Sequence, residues 1–231
     1  MPVSEHLSKK FDAELESIRS RVLEMGGLVE SQIRRALEGL QSGDRALLDD
    51  VIATDHRVNG MEVALDGECS HVIVKRQPAA NDLRLIFAIT KTVTDLERIG
   101  DEAVNISERA KEGHAAKDEV KDRLEKMSEQ AQQMVRDALD AFVEGEAARA
   151  EQVLERDDDV DAAYGDILRK MTEFMKNNVD EIPAAIRVMK VAKYIERIAD
   201  HATNIAEEVI FMVRGEDVRH VRTHPPPKVQ H

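Results

Sequence analysis

The sequence predicts an all-α protein built as two tandem antiparallel three-helix bundles related by internal duplication. Three observations carry that prediction. Of 231 residues, 42% are hydrophobic and 34% charged, but only 3% are aromatic and none is Trp. Such a mixture favours helix and lacks the aromatic residues that pack well on a sheet. Apolar residues recur at steps of three and four over long stretches. A block near residue 97 recurs near residue 196, as expected of a repeat.

The first helix is expected over 4–40, where Leu7, Phe11, Leu15, Ile18, Val22, Met25, Val29, Ile33, Leu37 and Leu40 form one stripe. Gly26-Gly27 interrupts the stripe and suggests a bend. Ser42-Gly43-Asp44 marks a stop and a restart, with Gly past one helix and Asp capping the next. The second helix covers 44–75 and is broken at Gln77-Pro78, since proline removes a donor and clashes with the preceding turn. The third covers 79–111, with Leu83, Ile86, Ile89, Val93, Leu96, Ile99, Ala103 and Ile106 inward and Gly113 at its end. The plan then repeats. A fourth helix covers 117–144 and ends at Gly145, and a fifth covers 146–176. Asn177-Asn178 and Pro183 bound a sixth, which ends at Gly215. Residues 216–231 include Pro225-Pro226-Pro227, show no period, and read as a mobile tail. The domains are therefore 1–113 and 114–215, each long enough for a modest core.

Charge narrows the function classes. A net charge of -13 repels phosphate backbones, so direct nucleic-acid binding is disfavoured. It also argues against docking on anionic lipid, which leaves membrane association through partners only. Cys69 is the single cysteine, so no intrachain disulfide forms. The segment 1–11 has no apolar signal core, and no apolar run approaches the roughly 20 residues that span a bilayer. A cytoplasmic protein is expected. No Gly-rich phosphate loop and no activated nucleophile stand out, so no enzyme is expected.

The duplication is visible residue by residue. Leu96-Glu97-Arg98-Ile99-Gly100-Asp101 aligns with Ile195-Glu196-Arg197-Ile198-Ala199-Asp200 at an offset of 99, and the match extends to Asn105 with Asn204 and Glu108 with Glu207. The second helix of each half aligns at an offset of 102, pairing Asp55 and Asn59 with Asp157 and Asp161. At about 100° per residue, Glu97, Asp101, Asn105 and Glu108 fall within about 80° of one another. Glu196, Asp200, Asn204 and Glu207 repeat this face, and Asp55, Asn59, Glu62 and Asp66 line another. Carboxylates one turn apart repel, so a cation or an arginine must offset them. Oxygen-only donors suit hard cations such as magnesium, calcium or manganese, and bridging carboxylates on facing helices hold iron. Arg98 and Arg197 offer a rival, metal-free salt-bridge network. His201 projects off the acidic face, while His6, His56, His71 and His114 lack partners at ligand spacing. His220, His224 and His231 fall in the tail.

The segments 96–106 and 194–207, each carrying E-R-I-x-D followed by N-I, resemble the paired signatures of the PhoU family, and 76–84 (Arg-Gln-Pro-Ala-Ala-Asn-Asp-Leu-Arg) resembles the segment before the first. The likeness covers nearly the whole chain apart from the Pro-rich tail. It implies two three-helix bundles, usually as a homodimer. It implies metal on the E-x-x-x-D face of each half, reported for the family as iron and also other divalent ions such as zinc, nickel, manganese or magnesium. The matching positions are Glu97, Asp101, Glu196 and Asp200, with Asp55, Asp157 and Asp161 from the second helices and Asn105 and Asn204 beside the motifs. Asn59 stands where the other half has Asp161, so the two faces differ by one charge. The resemblance further implies a negative regulator of phosphate uptake and of the phosphate-starvation response. Such a regulator contacts the ATPase of the phosphate ABC transporter and a membrane sensor histidine kinase. A carboxylate-bridged metalloenzyme and a metal-free helical interaction module stay open as alternatives.

Overall fold

In the computed structural model, which describes residues 2–113 and 118–219, six long helices follow one another. They are α1 (Pro2–Ser42), α2 (Arg45–Arg76), α3 (Ala80–Lys111), α4 (Asp118–Glu144), α5 (Ala147–Asn177) and α6 (Ile182–Arg214). Side chains are described from residue 9 to 113 and from 120 to 219. The connection at 114–117, with His114, and the tail beyond 219, with its prolines and histidines, lie outside the described residues. So does the side chain of His6.

Helix boundaries follow local chemistry. Gly43 takes φ 72°, and the Asp44 side chain accepts the backbone N–H of Ala46 at 2.9 Å, closing α1 and opening α2. Gln77 adopts the left-handed region ahead of Pro78 and donates its N–H to the Ile73 carbonyl at 3.1 Å. Between α5 and α6 the chain makes a single 3-10 turn, Val179–Glu181, which the periodicity did not reveal. At Gly26-Gly27, where a bend is expected, α1 stays helical. Gly26 serves contact. A Cβ there would stand 2.8 Å from Leu139 Cδ1 of α4, so the missing side chain lets α1 and α4 approach closely.

Each half is a three-helix bundle, α1–α3 and α4–α6. The bundles join side by side through α1 against α4 and α3 against α6. The polar pairs Lys91–Glu208, Asp95–Asn204 and Glu102–Arg197 run in opposite directions along α3 and α6, so these central helices are antiparallel. One continuous apolar core fills both bundles, from Ile18, Met25 and Ile33 through Leu96, Ile99 and Ile106 to Met127, Phe142 and Ile198. A bidentate pair from Arg76 to Glu14, at 2.7 and 2.9 Å, ties the end of α2 to α1. This arrangement leaves two outer grooves, α2–α3 and α5–α6, and the acidic faces lie in them. Among the described residues no helix is long and apolar enough to cross a membrane.

Candidate metal centre

The α2–α3 groove gathers the first-half acids. Gly100 marks the close packing there, since a Cβ at that position would be in contact with Val58 Cγ1 at 3.5 Å, Asp55 Oδ1 at 3.6 Å and Gln32 Oε1 at 3.3 Å. Asp55 Oδ2 accepts from the Asn59 amide at 3.1 Å. Asp55 Oδ1, Asn59 Oδ1, Asp66 Oδ1 and Gln32 Oε1 are buried and have no hydrogen-bond partner. Buried polar oxygens are rarely left so, and each points to a missing donor, water or cation.

Electrostatics agree. Burial, followed by the carboxylates of Asp101 and Glu62, holds Glu97 above the usual carboxylate range. Burial, followed by Asp55, raises Asp101. Burial, followed by Asp66, raises Glu62. Arg98 relieves all three only in part. It is 60% exposed at the rim, with its Nε 3.6 Å from Glu97 Oε2.

The α5–α6 groove is drawn tighter. Asp161, Glu196 and Asp200 each place a carboxylate oxygen within 4.8 Å of the others. Asp157 stands beside them and accepts from the Thr203 hydroxyl at 3.2 Å. Asp161 and Asp200 reach solvent, while Glu196 is buried. Burial, then Glu196 and Asp157, pushes Asp200 up to about 6. Lys193, one turn before Glu196, donates to Glu196 Oε2 and lies 5.4 Å above the Tyr164 ring of α5. Burial alone would lower that ammonium, but its bond to Glu196 and the charges of Glu196 and Asp200 raise it overall.

The two asparagines sit differently from the acids. Asn204 donates to Asp95 Oδ1 of α3 at 3.0 Å, which turns its amide nitrogen toward the junction between bundles. Asn105 donates to Glu102 Oε2 at 3.0 Å, and Glu102 also accepts from Arg197 of α6 at 3.2 Å. His201 likewise leaves the acidic face, its Nδ1 lying 2.8 Å from Asp95 Oδ1. The arginine network therefore divides. Arg98 stays on its own face, whereas Arg197 bridges the halves. Lys193 and Asp95 escaped the sequence reading, although the i,i+3 spacing of Lys193 to Glu196 is an ion-pair signal.

The donor set is carboxylate and amide oxygen, which fits hard cations, and the orphaned oxygens of the first groove fit the same use. One consequence is measurable without metal. Because Asp200 is raised, folding stability is lost as pH climbs from the unfolded carboxylate range through about 6. In metal-stripped protein Asp200→Asn is expected to gain about 1 kcal/mol at pH 7.5, after discounting for its solvent contact, and nothing near pH 4. Urea unfolding at the two pH values checks this, and an equal effect at both refutes it.

Comparison with known proteins places the chain in a family. The PhoU domain model matches residues 22–110 and again 124–209, one match per bundle. The phosphate-specific transport system accessory protein PhoU homolog of Pseudomonas putida is 44% identical over 223 residues, covering 95% of this chain and 86% of that protein. The phosphate-specific transport system accessory protein PhoU of Escherichia coli K12 is 40% identical over 220 residues, covering 95% and 91%. The crystal structure of PhoU from Pseudomonas aeruginosa superposes with a TM-score of 0.85 at 43% identity, covering 89% of this chain and all of that one. The phosphate transport system regulatory protein PhoU from Streptococcus pneumoniae gives 0.82 at 28% identity.

Proposed function

The chain belongs to the PhoU family, and from that membership we propose that it is an accessory regulator of phosphate uptake that represses the phosphate-starvation response. The observation that supports this reading is the extent of the match. Both bundles fit the family model, and 95% of the chain aligns with relatives named for the phosphate-specific transport system. The regulator acts as a homodimer through protein contacts, with the transporter ATPase and a membrane sensor histidine kinase as partners. Exposed Val63 and Val74 on α2 and Phe87 on α3 offer apolar contact points for such partners.

Metal shapes the two grooves in this reading. Glu97, Asp101 and Asp55 would hold it in the first half, and Glu196, Asp200, Asp161 and Asp157 in the second. A hard cation, iron or another divalent ion, would supply the charge that the crowded carboxylates lack. Its role is to set the spacing of α2 from α3 and of α5 from α6, and so the shape of the outer surface. The nickel and zinc alternatives are softer and fit an all-oxygen set less well.

The test is complementation. In a bacterium lacking its own copy, this chain is expected to return a phosphate-starvation promoter reporter to its low level in phosphate-rich medium. A reporter that stays high while the protein accumulates normally would overturn the regulatory reading.

A further inference from the structure

The two grooves are repeats of one another, yet one residue makes them chemically unlike. Lys193 of α6 lies in the α5–α6 groove, bonded to the buried Glu196 and seated over Tyr164, so both walls hold it. At the 99-residue offset its counterpart in the α2–α3 groove is Thr94, whose hydroxyl reaches Glu62 but carries no charge. The consequences differ in the direction charge predicts. Beside the ammonium, Asp161, Glu196 and Asp200 gather to within 4.8 Å. Without one, the first groove keeps buried oxygens of Asp55, Asn59 and Asp66 unpartnered, while no buried oxygen of Asp157, Asp161, Glu196 or Asp200 is left so.

We propose that Lys193 is an internal counter-ion that holds the α5–α6 groove together without metal and lowers its affinity for a hard cation, so that the α2–α3 groove loads first. This rests on the metal-carrying reading given above. A cation entering the second groove meets a fixed ammonium a few ångströms away, and must repel or displace it from Glu196. In the first groove no ammonium stands among the acids, and oxygens that now lack partners gain one. The partial charge match at Arg98 does not cancel this difference, because that side chain is 60% exposed and screened. Unequal loading would make the molecule graded rather than all-or-none. Its first half changes with metal supply, while its second half keeps its shape.

The experiment uses the full chain, stripped of metal and titrated with Mn2+ by equilibrium dialysis with elemental analysis. Glu97→Ala with Asp101→Ala leaves only the second groove, and Glu196→Ala with Asp200→Ala leaves only the first. The first groove is expected to bind more tightly. Adding Lys193→Thr to the second-groove background should tighten binding about tenfold, and adding Thr94→Lys to the first-groove background should weaken it about tenfold. Lys193→Met keeps the aliphatic stem over Tyr164 and should tighten binding equally, which guards against a local repacking effect of threonine. Thermal unfolding of the metal-free chain gives an independent readout. Lys193→Met should lower the melting temperature in the otherwise unaltered chain, since the acids lose their counter-ion. Mn2+ bound in both grooves, but with affinities that position 193 leaves unmoved, would overturn the inference and spare the metal-carrying reading. Mn2+ bound in neither groove would overturn both.

Discussion

Replacing Glu97 and Asp101 together with alanine is expected to weaken metal binding in the α2–α3 groove about 100-fold while making the metal-free protein more stable. The two effects have one cause. Both carboxyls are held above their ordinary range by burial and by neighbouring acids, so the fold tolerates their charge poorly. That penalty is present above the ordinary carboxylate range and vanishes in acid, where the groups are neutral folded or unfolded. Removing them at pH 7.5 should therefore raise the metal-free melting temperature. Below the ordinary carboxylate range, at pH ~3, the gain should disappear. A residue that merely supports the bundle would behave in the opposite way and lower stability when truncated. Elemental analysis beside calorimetry of the same samples reads both effects. Unchanged metal content in the double variant would remove the first groove as a site.

Much of this molecule is written in its apolar period. Six helices, their stops at Gly43, Gln77-Pro78, Gly145 and Gly215, and the duplication follow from spacing and from a few punctuating residues. Both acidic E-x-x-x-D pairs also fall where the period puts them, in grooves beside the core. What spacing conveys less well is which neighbour a side chain meets. From Glu97 to Asn105 the helix turns about 80°, enough to carry a side chain from one groove toward the next helix. The amides of Asn105 and Asn204 accordingly bond Glu102 and Asp95. Gly26 shows the same limit. Its sequence context suggests a bend, and no local signal announces the close approach of Leu139 from α4, 113 residues away. Lys193 was hidden differently. It breaks the repeat, and attention to matching positions passes over the position that differs.

Asp95→Ala is expected to destabilise the protein by about 2 kcal/mol and to lower its melting temperature by roughly 5 °C. Asp95 is 15% exposed, and one oxygen accepts from both His201 Nδ1, at 2.8 Å, and the Asn204 amide, at 3.0 Å. Truncation removes the acceptor of a part-buried imidazole and of an exposed amide at the contact between α3 and α6. Asp95→Asn retains an acceptor and should lose about half as much. A cycle with His201→Ala should return a coupling near 1 kcal/mol by urea unfolding, and strict additivity would show that the pair contributes nothing. The position gives this bond a further meaning. Asp95 lies two residues from Glu97, and His201 is next to Asp200, so a single hydrogen bond links the backbone behind one acidic groove to that behind the other. Glu102 with Arg197 makes a second such link one to two turns away. A shift of α3 on filling the first groove would therefore be felt at α6 through these polar contacts. Asp95→Ala should then leave the affinity of each groove measured alone nearly intact and reduce any dependence of the second groove on the first. Dialysis against Mn2+ in the two single-groove backgrounds and in the intact chain separates the two outcomes.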